Sequence, residues 1–235
     1  MVRSESSSLI MLTHSAGFKH DYLPAAVEAV RRLAATRREL EVTCTEDCSV
    51  INAERLERAS VVLFATTGEL PMTPAQRGAL LDFVREGGGF VGVHNAADTF
   101  YTFGDYGSML GGYFNGHPWT QEVRIKVEDR AYPSTRHLPA TLRVREEVYT
   151  FKNWSRRKTH VLISLDTGSV DLAKGNRDDN DYALSWCHRY GEGRVFYTAF
   201  GHFKERWAEE WFTTHLWGGI LWSAEGTTER PEAEG

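Results

Sequence analysis

Nine histidines are distributed along this chain, and three of them follow segments that read as β-strands. His14 comes after Leu9-Ile-Met-Leu-Thr13, His94 after Phe90-Val-Gly-Val93, and His202 after Arg194–Phe200. An imidazole titrates near neutral pH and also ligates metals, so imidazoles that converge suit proton transfer or cation binding. Glu147 and Tyr149 are two residues apart in an alternating segment, which places both on one face of the strand expected there. A glutamate on that face acts as a general acid or base, or orients a histidine; on a solvated face it does neither. Gly92-Val-His94-Asn-Ala96 has the layout of a strand-to-helix elbow, a sharp turn that holds one side chain out of a sheet edge. Histidine at the elbow forms no acyl intermediate of the serine or cysteine kind, and would serve as base, acid or ligand.

Other residues offer binding rather than reaction. His117 lies in Asn115-Gly-His-Pro-Trp119, where Gly and Pro fix the direction of the ring. Trp119, Trp154 and Trp186 present planes on which the apolar face of a sugar can stack, although tryptophan is more often simply buried. His188 shares a strand face with Trp186, and His20-Asp21 directly precedes a helix. His137, His160 and His215 are assigned to structure or surface. No His-Glu-x-x-His or His-x-His spacing occurs, so metal ligands are not identifiable. A set drawn from His14, His94, His117, His202 and Glu147 would have to be assembled in space. No Gly-x-Gly-x-x-Gly follows the first strand, which argues against a dinucleotide. No cofactor is expected, and a divalent metal stays open as an alternative.

The elements that must position these residues alternate in the first part of the chain. Strands are expected at Ser6–Thr13, Glu41–Thr45, Val61–Ala65 and Phe90–Val93. Helices are expected at Tyr22–Arg38, Asn52–Ala59 and from Thr73-Pro74 to Gly87-Gly-Gly89, with Asp21 as a cap for the first. This alternation is the signature of an α/β, doubly wound, mostly parallel sheet, whose ligands bind at the carboxyl ends of the strands. His14, Thr66–Glu69, His94 and Gly201-His202 all fall at that edge. The later segments Gln121–Val127, Leu142–Phe151, Val161–Leu165, Ala183–His188 and Arg194–Phe200 read as an antiparallel β extension, with Tyr190-Gly-Glu-Gly193 as a hairpin turn. A helix closes the pattern at Glu209–Ser223. One domain over residues 1–225 and a polar tail over 226–235 are expected.

The chain has 235 residues, with 27 Lys+Arg against 32 Asp+Glu and a net charge of −5. Without a basic block it is not expected to bind nucleic acid. No apolar run approaches the roughly 20 residues that span a bilayer, so no membrane partner is expected. The first apolar stretch is too short for a signal peptide. Cys44, Cys48 and Cys187 cannot all pair and read as thiols of a reducing, cytoplasmic compartment. Homo-oligomerisation is left open.

The run Gly87-Gly-Gly-Phe-Val-Gly-Val-His94-Asn-Ala-Ala-Asp98-Thr resembles the signature of ThuA-like, trehalose-utilisation proteins. So do Ala16-Gly-Phe-Lys-His20-Asp21, Gly112-Tyr-Phe-Asn-Gly-His117-Pro118, Glu147-Val-Tyr149-Thr-Phe, Ser185-Trp-Cys-His188 and Gly201-His202. The resemblance extends from Thr13 to Trp222. It implies a flavodoxin-like sheet similar to that of class I glutamine amidotransferases, and a small-molecule carbohydrate ligand such as trehalose or a keto-disaccharide. Working amidotransferases carry Cys at the elbow and His-x-Glu after a late strand. Here the elbow is His94, and Lys204 occupies the place of that carboxylate, so glutaminase activity is not expected. Together the residues and the resemblance give His94, His202 and Glu147 as catalytic candidates. His14, His20, Asp98, His117, Trp119, Tyr149, Trp186 and His188 are the candidates for binding substrate. A disaccharide- or keto-sugar-processing enzyme using acid/base chemistry is the leading expectation. A non-catalytic sugar-binding or regulatory module, and a metal-dependent hydrolase, are the alternatives.

Overall fold

The computed structural model describes residues 7–225, so Ser6 and the expected polar tail lie outside the described residues. The first half alternates strand and helix: β1 Ser8–Leu12, α1 Leu23–Arg37, β2 Glu41–Thr45, α2 Ala53–Leu56, β3 Val61–Phe64, α3 Pro74–Arg85 and β4 Gly89–Val93. α4, Gly104–Leu110, and the short strand β5, Tyr113–Phe114, follow in a stretch without a clear sequence period. Then come β6 Trp119–Val127, β7 Thr141–Val148, β8 Phe151–Lys152, β9 His160–Leu165, β10 Ala183–Tyr190, β11 Gly193–Thr198 and α5 Glu210–Ala224.

Nine strands form one sheet in the order β2-β1-β3-β4-β11-β10-β9-β6-β7, while β5 and β8 pair separately. β2, β1, β3, β4 and β11 are mutually parallel, and the pairs beyond β11 are antiparallel. The expected doubly wound sheet with an antiparallel extension is therefore present. β3 and β4 are buried along their whole length, as parallel strands covered on both faces must be. Along β4 the faces alternate. A Cβ on Gly89 would lie 2.4 Å from the Ser223 carbonyl of α5, and one on Gly92 would lie 2.6 Å from Leu110 of α4. Only glycine lets helices approach the strand so closely from both sides.

Local chemistry explains the helix ends. Thr73 caps α3 in a reciprocal capping box with Gln76, and Pro occupies the first turn. α1 departs from expectation: its N-cap is Tyr22, with no side-chain cap bond, and Asp21 lies one residue too early to cap it. Likewise, Leu142–Phe151 is not one strand. It breaks after Val148 and resumes as β8, because Thr150 turns to bond the loop at Asn115 and Gly116.

Counting directions across the sheet shows that β7 runs parallel to β4 and ends at the same edge. In a flat sheet, five strand spacings would separate them by about 24 Å. Yet Glu147 on β7 lies 3.4 Å from His94 at the end of β4. The sheet must therefore curl, carrying the β6–β7 ribbon back over the carboxyl edge of the parallel strands. β6 meets β9 only at Ile125–Val127, so the rest of the ribbon is free to swing out of the sheet plane.

Candidate functional site

His94 stands at the elbow after β4 with φ +44°, a left-handed conformation that costs a non-glycine residue about 1–3 kcal/mol. Three contacts hold it there. Its Nδ1 is 2.7 Å from the Ala199 carbonyl, its own carbonyl accepts from the Tyr197 hydroxyl at 2.7 Å, and Tyr149 packs on the ring with centroids 4.0 Å apart. A carbonyl only accepts, so Nδ1 carries a hydrogen and Nε2 is the atom presented to the site.

His202 follows Gly201, whose φ of +118° suits only glycine. This turn is fixed from behind. Buried Glu146 accepts from the Gly201 amide at 3.1 Å and from Arg206 Nε at 3.3 Å, and the Trp207 indole donates to the Gly201 carbonyl at 3.0 Å. Glu147 is the next residue along and faces the opposite way, into the site. Its Oε2 lies 3.0 Å from His202 Nδ1 and 3.4 Å from His94 Nε2, and its Oε1 lies 3.4 Å from His117 Nδ1. His94 Nε2 and His202 Nδ1 are 3.3 Å apart. Lys204 stands two residues after His202, and the carboxylate beside that ring comes instead from a different strand.

His20 completes the group from the loop after β1. Ala16 and Gly17 amides bond the Thr67 carbonyl, and Thr67 Oγ1 donates to the Phe18 carbonyl, which ties this loop to the end of β3. His20 is buried, with Nδ1 3.3 Å from the Asn95 amide nitrogen, and Asn95 in turn accepts from Tyr22. The His20 ring stands edge-on to His94 and to His202, with centroids 5.3 and 5.7 Å away. Among the described residues, His20, His94, Glu147 and His202 offer ligand atoms within 4.8 Å of one another, the arrangement that could hold a metal ion. His117 is half exposed outside this group, and its loop is fixed by the pairing of Thr150 with Asn115 and Gly116.

The charges follow from these contacts. Burial opposes ionisation of Glu147, but the hydrogen bonds from His202 and His94 outweigh it and hold the carboxyl well below the usual range. The bond to Glu147 raises His202 despite its burial. His20 is lowered to about 4, first by burial and then by the neighbouring imidazoles, so it is neutral near pH 7. Burial raises Asp98, which accepts from the Tyr101 hydroxyl at 2.7 Å in the turn after His94.

A cavity of about 260 Å³ opens onto His20 and His202, flanked by Phe18, Asp21, Phe203 and Lys204. Phe18 is 69% exposed, unusual for so large an apolar side chain.

The structure brings together His20, His94, His117, Glu147, Tyr149 and His202, places Asp98 at the end of the turn after His94, bonded to Tyr101, and leaves the other four sequence candidates elsewhere. His14 turns its Nδ1 to the Glu46 carbonyl at 2.8 Å, because β1 delivers it toward β2 rather than β4. Trp119 is buried, bonds the Asp171 carbonyl and meets Tyr182 edge-on, so neither ring face is available to a sugar. Trp186 is buried between Tyr197 and Phe151, with its indole nitrogen on the Leu110 carbonyl. His188 bonds the Met109 carbonyl and lines a different cavity of about 550 Å³ beside Gly107 and Tyr113. Trp154, like these two tryptophans, is buried. Sequence reasoning missed Glu146, Arg206, Asn95, Tyr197 and Phe18. Of these, only the Glu146-Glu147 doublet left a readable sign, an acidic residue on each face of one strand.

Comparison with known proteins agrees with this architecture. The family model ThuA, described as trehalose utilisation, matches residues 8–223. A search of curated proteins gave no match. Among solved structures, a ThuA-like protein from Bacteroides uniformis is similar over 94% of this chain and 93% of its own, at 22% identity and a TM-score of 0.74. Another from Parabacteroides merdae is similar over 97% and 94%, at 16% identity and a TM-score of 0.72. A β-galactosidase from Bacillus circulans shares the fold over 93% of this chain but only 31% of its own, at 13% identity and a TM-score of 0.59. No helix among the described residues is long and apolar enough to cross a membrane.

Proposed function

From the premise that this chain belongs to the ThuA family, we propose that it is an enzyme of carbohydrate utilisation. Its substrate is a trehalose-like disaccharide or a keto derivative of one. The sugar enters the cavity between Phe18 and Phe203 and reacts at the centre formed by His94, Glu147 and His202. One observation carries this reading above all: Glu147 faces three imidazoles at once, at 3.0–3.4 Å, beside an open cavity. A binding module needs hydrogen-bond partners for sugar hydroxyls. It does not need a strained imidazole and a carboxylate of strongly lowered pKa held against each other.

The aromatic mouth supports the substrate class. Phe18 and Phe203 line the cavity, and a phenyl ring offers a plane on which the C–H face of a sugar stacks. The family description supplies the carbohydrate, and the cavity limits the part engaged to something near one sugar ring. Acyl transfer through a thiolate is not part of the reading. The elbow carries no thiol, and burial first of all pushes the Cys187 thiol up to about 12.

The test is product analysis by mass and NMR after incubating the protein with trehalose and with 3-keto-disaccharides. Turnover is expected on at least one of them, and His94→Gln is expected to lower it roughly 10²–10⁴-fold while leaving sugar affinity within a few fold. Binding of these sugars without conversion by the wild-type protein would overturn the enzymatic reading in favour of a binding module.

A further inference from the structure

We propose that His94, His202 and Glu147, with His20 beside them, form a binding site for a divalent transition-metal ion of the zinc class. This deepens the reading above, on which it rests for the use of the site, and it names the electrophile that would act on a sugar oxygen. Three observations carry it.

The first is geometric. The atoms His94 Nε2, His202 Nδ1 and Glu147 Oε2 form a triangle with sides of 3.0, 3.3 and 3.4 Å. Donors held at zinc-like bond lengths of about 2.0–2.1 Å lie about 3.3 Å apart around a tetrahedron and about 3.0 Å apart at right angles. The triangle therefore has the dimensions of one face of a coordination polyhedron. His20 contributes a further donor atom within 4.8 Å of the rest.

The second is the hydrogen inventory. His94 Nδ1 must carry its hydrogen, because its partner is the Ala199 carbonyl. Nε2 is therefore the atom that His94 turns toward a Glu147 carboxylate oxygen and a His202 ring nitrogen. In the metal-free chain imidazole hydrogens bridge these atoms to the carboxylate, and a bound cation would take the place of those hydrogens. A carbonyl that fixes the outer nitrogen of an imidazole is also the arrangement that orients a metal-ligating histidine. Glu147 is steadied in the same way, its other oxygen lying 3.4 Å from His117.

The third is the donor chemistry. Imidazoles with one carboxylate select zinc, iron(II), cobalt or manganese, whereas magnesium and calcium require mainly oxygen donors. Two histidines and one carboxylate on one face leave the other positions open. The cavity beside His20 and His202 gives a substrate oxygen access to them.

The test uses the full chain, stripped with a chelator, desalted, and loaded separately with Zn²⁺ and Co²⁺. We expect one ion per chain by elemental analysis. We also expect visible cobalt absorption, and shifts of the His94 and His202 imidazole NMR signals on adding Zn²⁺. Glu147→Gln, which keeps the shape of the side chain, should lose more affinity than the roughly 10–100-fold typical of an outer-sphere partner. His137→Ala, on a ring bonded to the Trp211 carbonyl, should bind as the wild type does. Equal metal content in wild type and Glu147→Gln would overturn the proposal. If Glu147→Gln does not fold, imidazole signals of the wild type that stay unmoved by Zn²⁺ would overturn it instead. None of these readouts uses a sugar, so a metal site without turnover would count against the proposed function alone.

Discussion

The two ends of the nine-stranded sheet are built on different principles. From β2 to β11 the strands are parallel, and β3 and β4 are buried throughout beneath helices on both faces. From β10 to β7 the pairs are antiparallel, β6 and β7 alternate between buried and exposed residues, and β6 grips β9 over only three residue pairs. The first region is a rigid frame that presents His94 and His202 at its edge. The second bends until its last strand lays Glu147 against them. Neither region holds a complete centre. On the proposed function, the parallel frame sets where the reaction would take place, and the curled ribbon sets its kind by supplying the carboxylate.

If that division is right, removing the ribbon's contribution should abolish function while leaving the frame folded. Glu147→Gln is expected to lower turnover roughly 10²–10⁴-fold with little change in thermal unfolding, measured by steady-state kinetics and circular dichroism. Wild-type rates in this variant would show that the frame's histidines suffice.

A somewhat smaller effect, on stability instead, is expected one residue earlier. Glu146 and Arg206 are a buried pair joining β7 to the turn that carries His202. Glu146→Ala removes one carboxylate partner from a buried guanidinium that keeps Glu209 and the Arg145 carbonyl, a loss of about 1–3 kcal/mol. Urea unfolding should show it, with loss of turnover as His202 is released. Unchanged stability would mean that the ribbon and the frame are held together elsewhere.

The third expectation concerns the packing of α5 on the frame and on the loop between β6 and β7. His215 on α5 is fully buried, bonded to the Ser134 carbonyl and Thr198, and burial lowers it from 6.5 to about 4. Below pH 6.5 the unfolded chain takes up a proton that the folded chain refuses. The folding free energy should therefore fall as pH drops from 6.5 toward 4, by up to about 3 kcal/mol in all. His215→Gln should flatten that part of the profile, and an unaltered profile would assign the acid sensitivity to other groups.

The frame was legible in the sequence because its signals are local. Apolar runs, glycines and a Thr-Pro helix start fall within short windows, and so does the elbow at His94. Two of the three imidazoles expected to converge do so for the same reason: β4 and β11 are neighbours, and their ends coincide. His14 fails because being at a strand end says nothing about which neighbour the side chain turns to, and here it turns to Glu46. The alternation of β7 could be read, and Glu147 on it and Tyr149 just past its end both meet His94, but the curl that brings them there has no sequence signature. Tryptophans at strand positions misled because stacking on a sugar and burial in a core select the same residue type. Trp119 and Trp186 serve the core.

The curl also makes the centre a set of contacts between residues far apart in sequence. His94 and His202 are 108 residues apart in sequence, and His20 and Asn95 are 75 apart. Contacts of such high order carry a large loop-closure cost and form after local pairings have repaid part of the chain entropy. The early βαβ units can close before β11 exists on a growing chain, whereas the centre requires β11, β7 and the loop after β1 to be in place together. Its four side chains therefore come together only when all of these elements are in place.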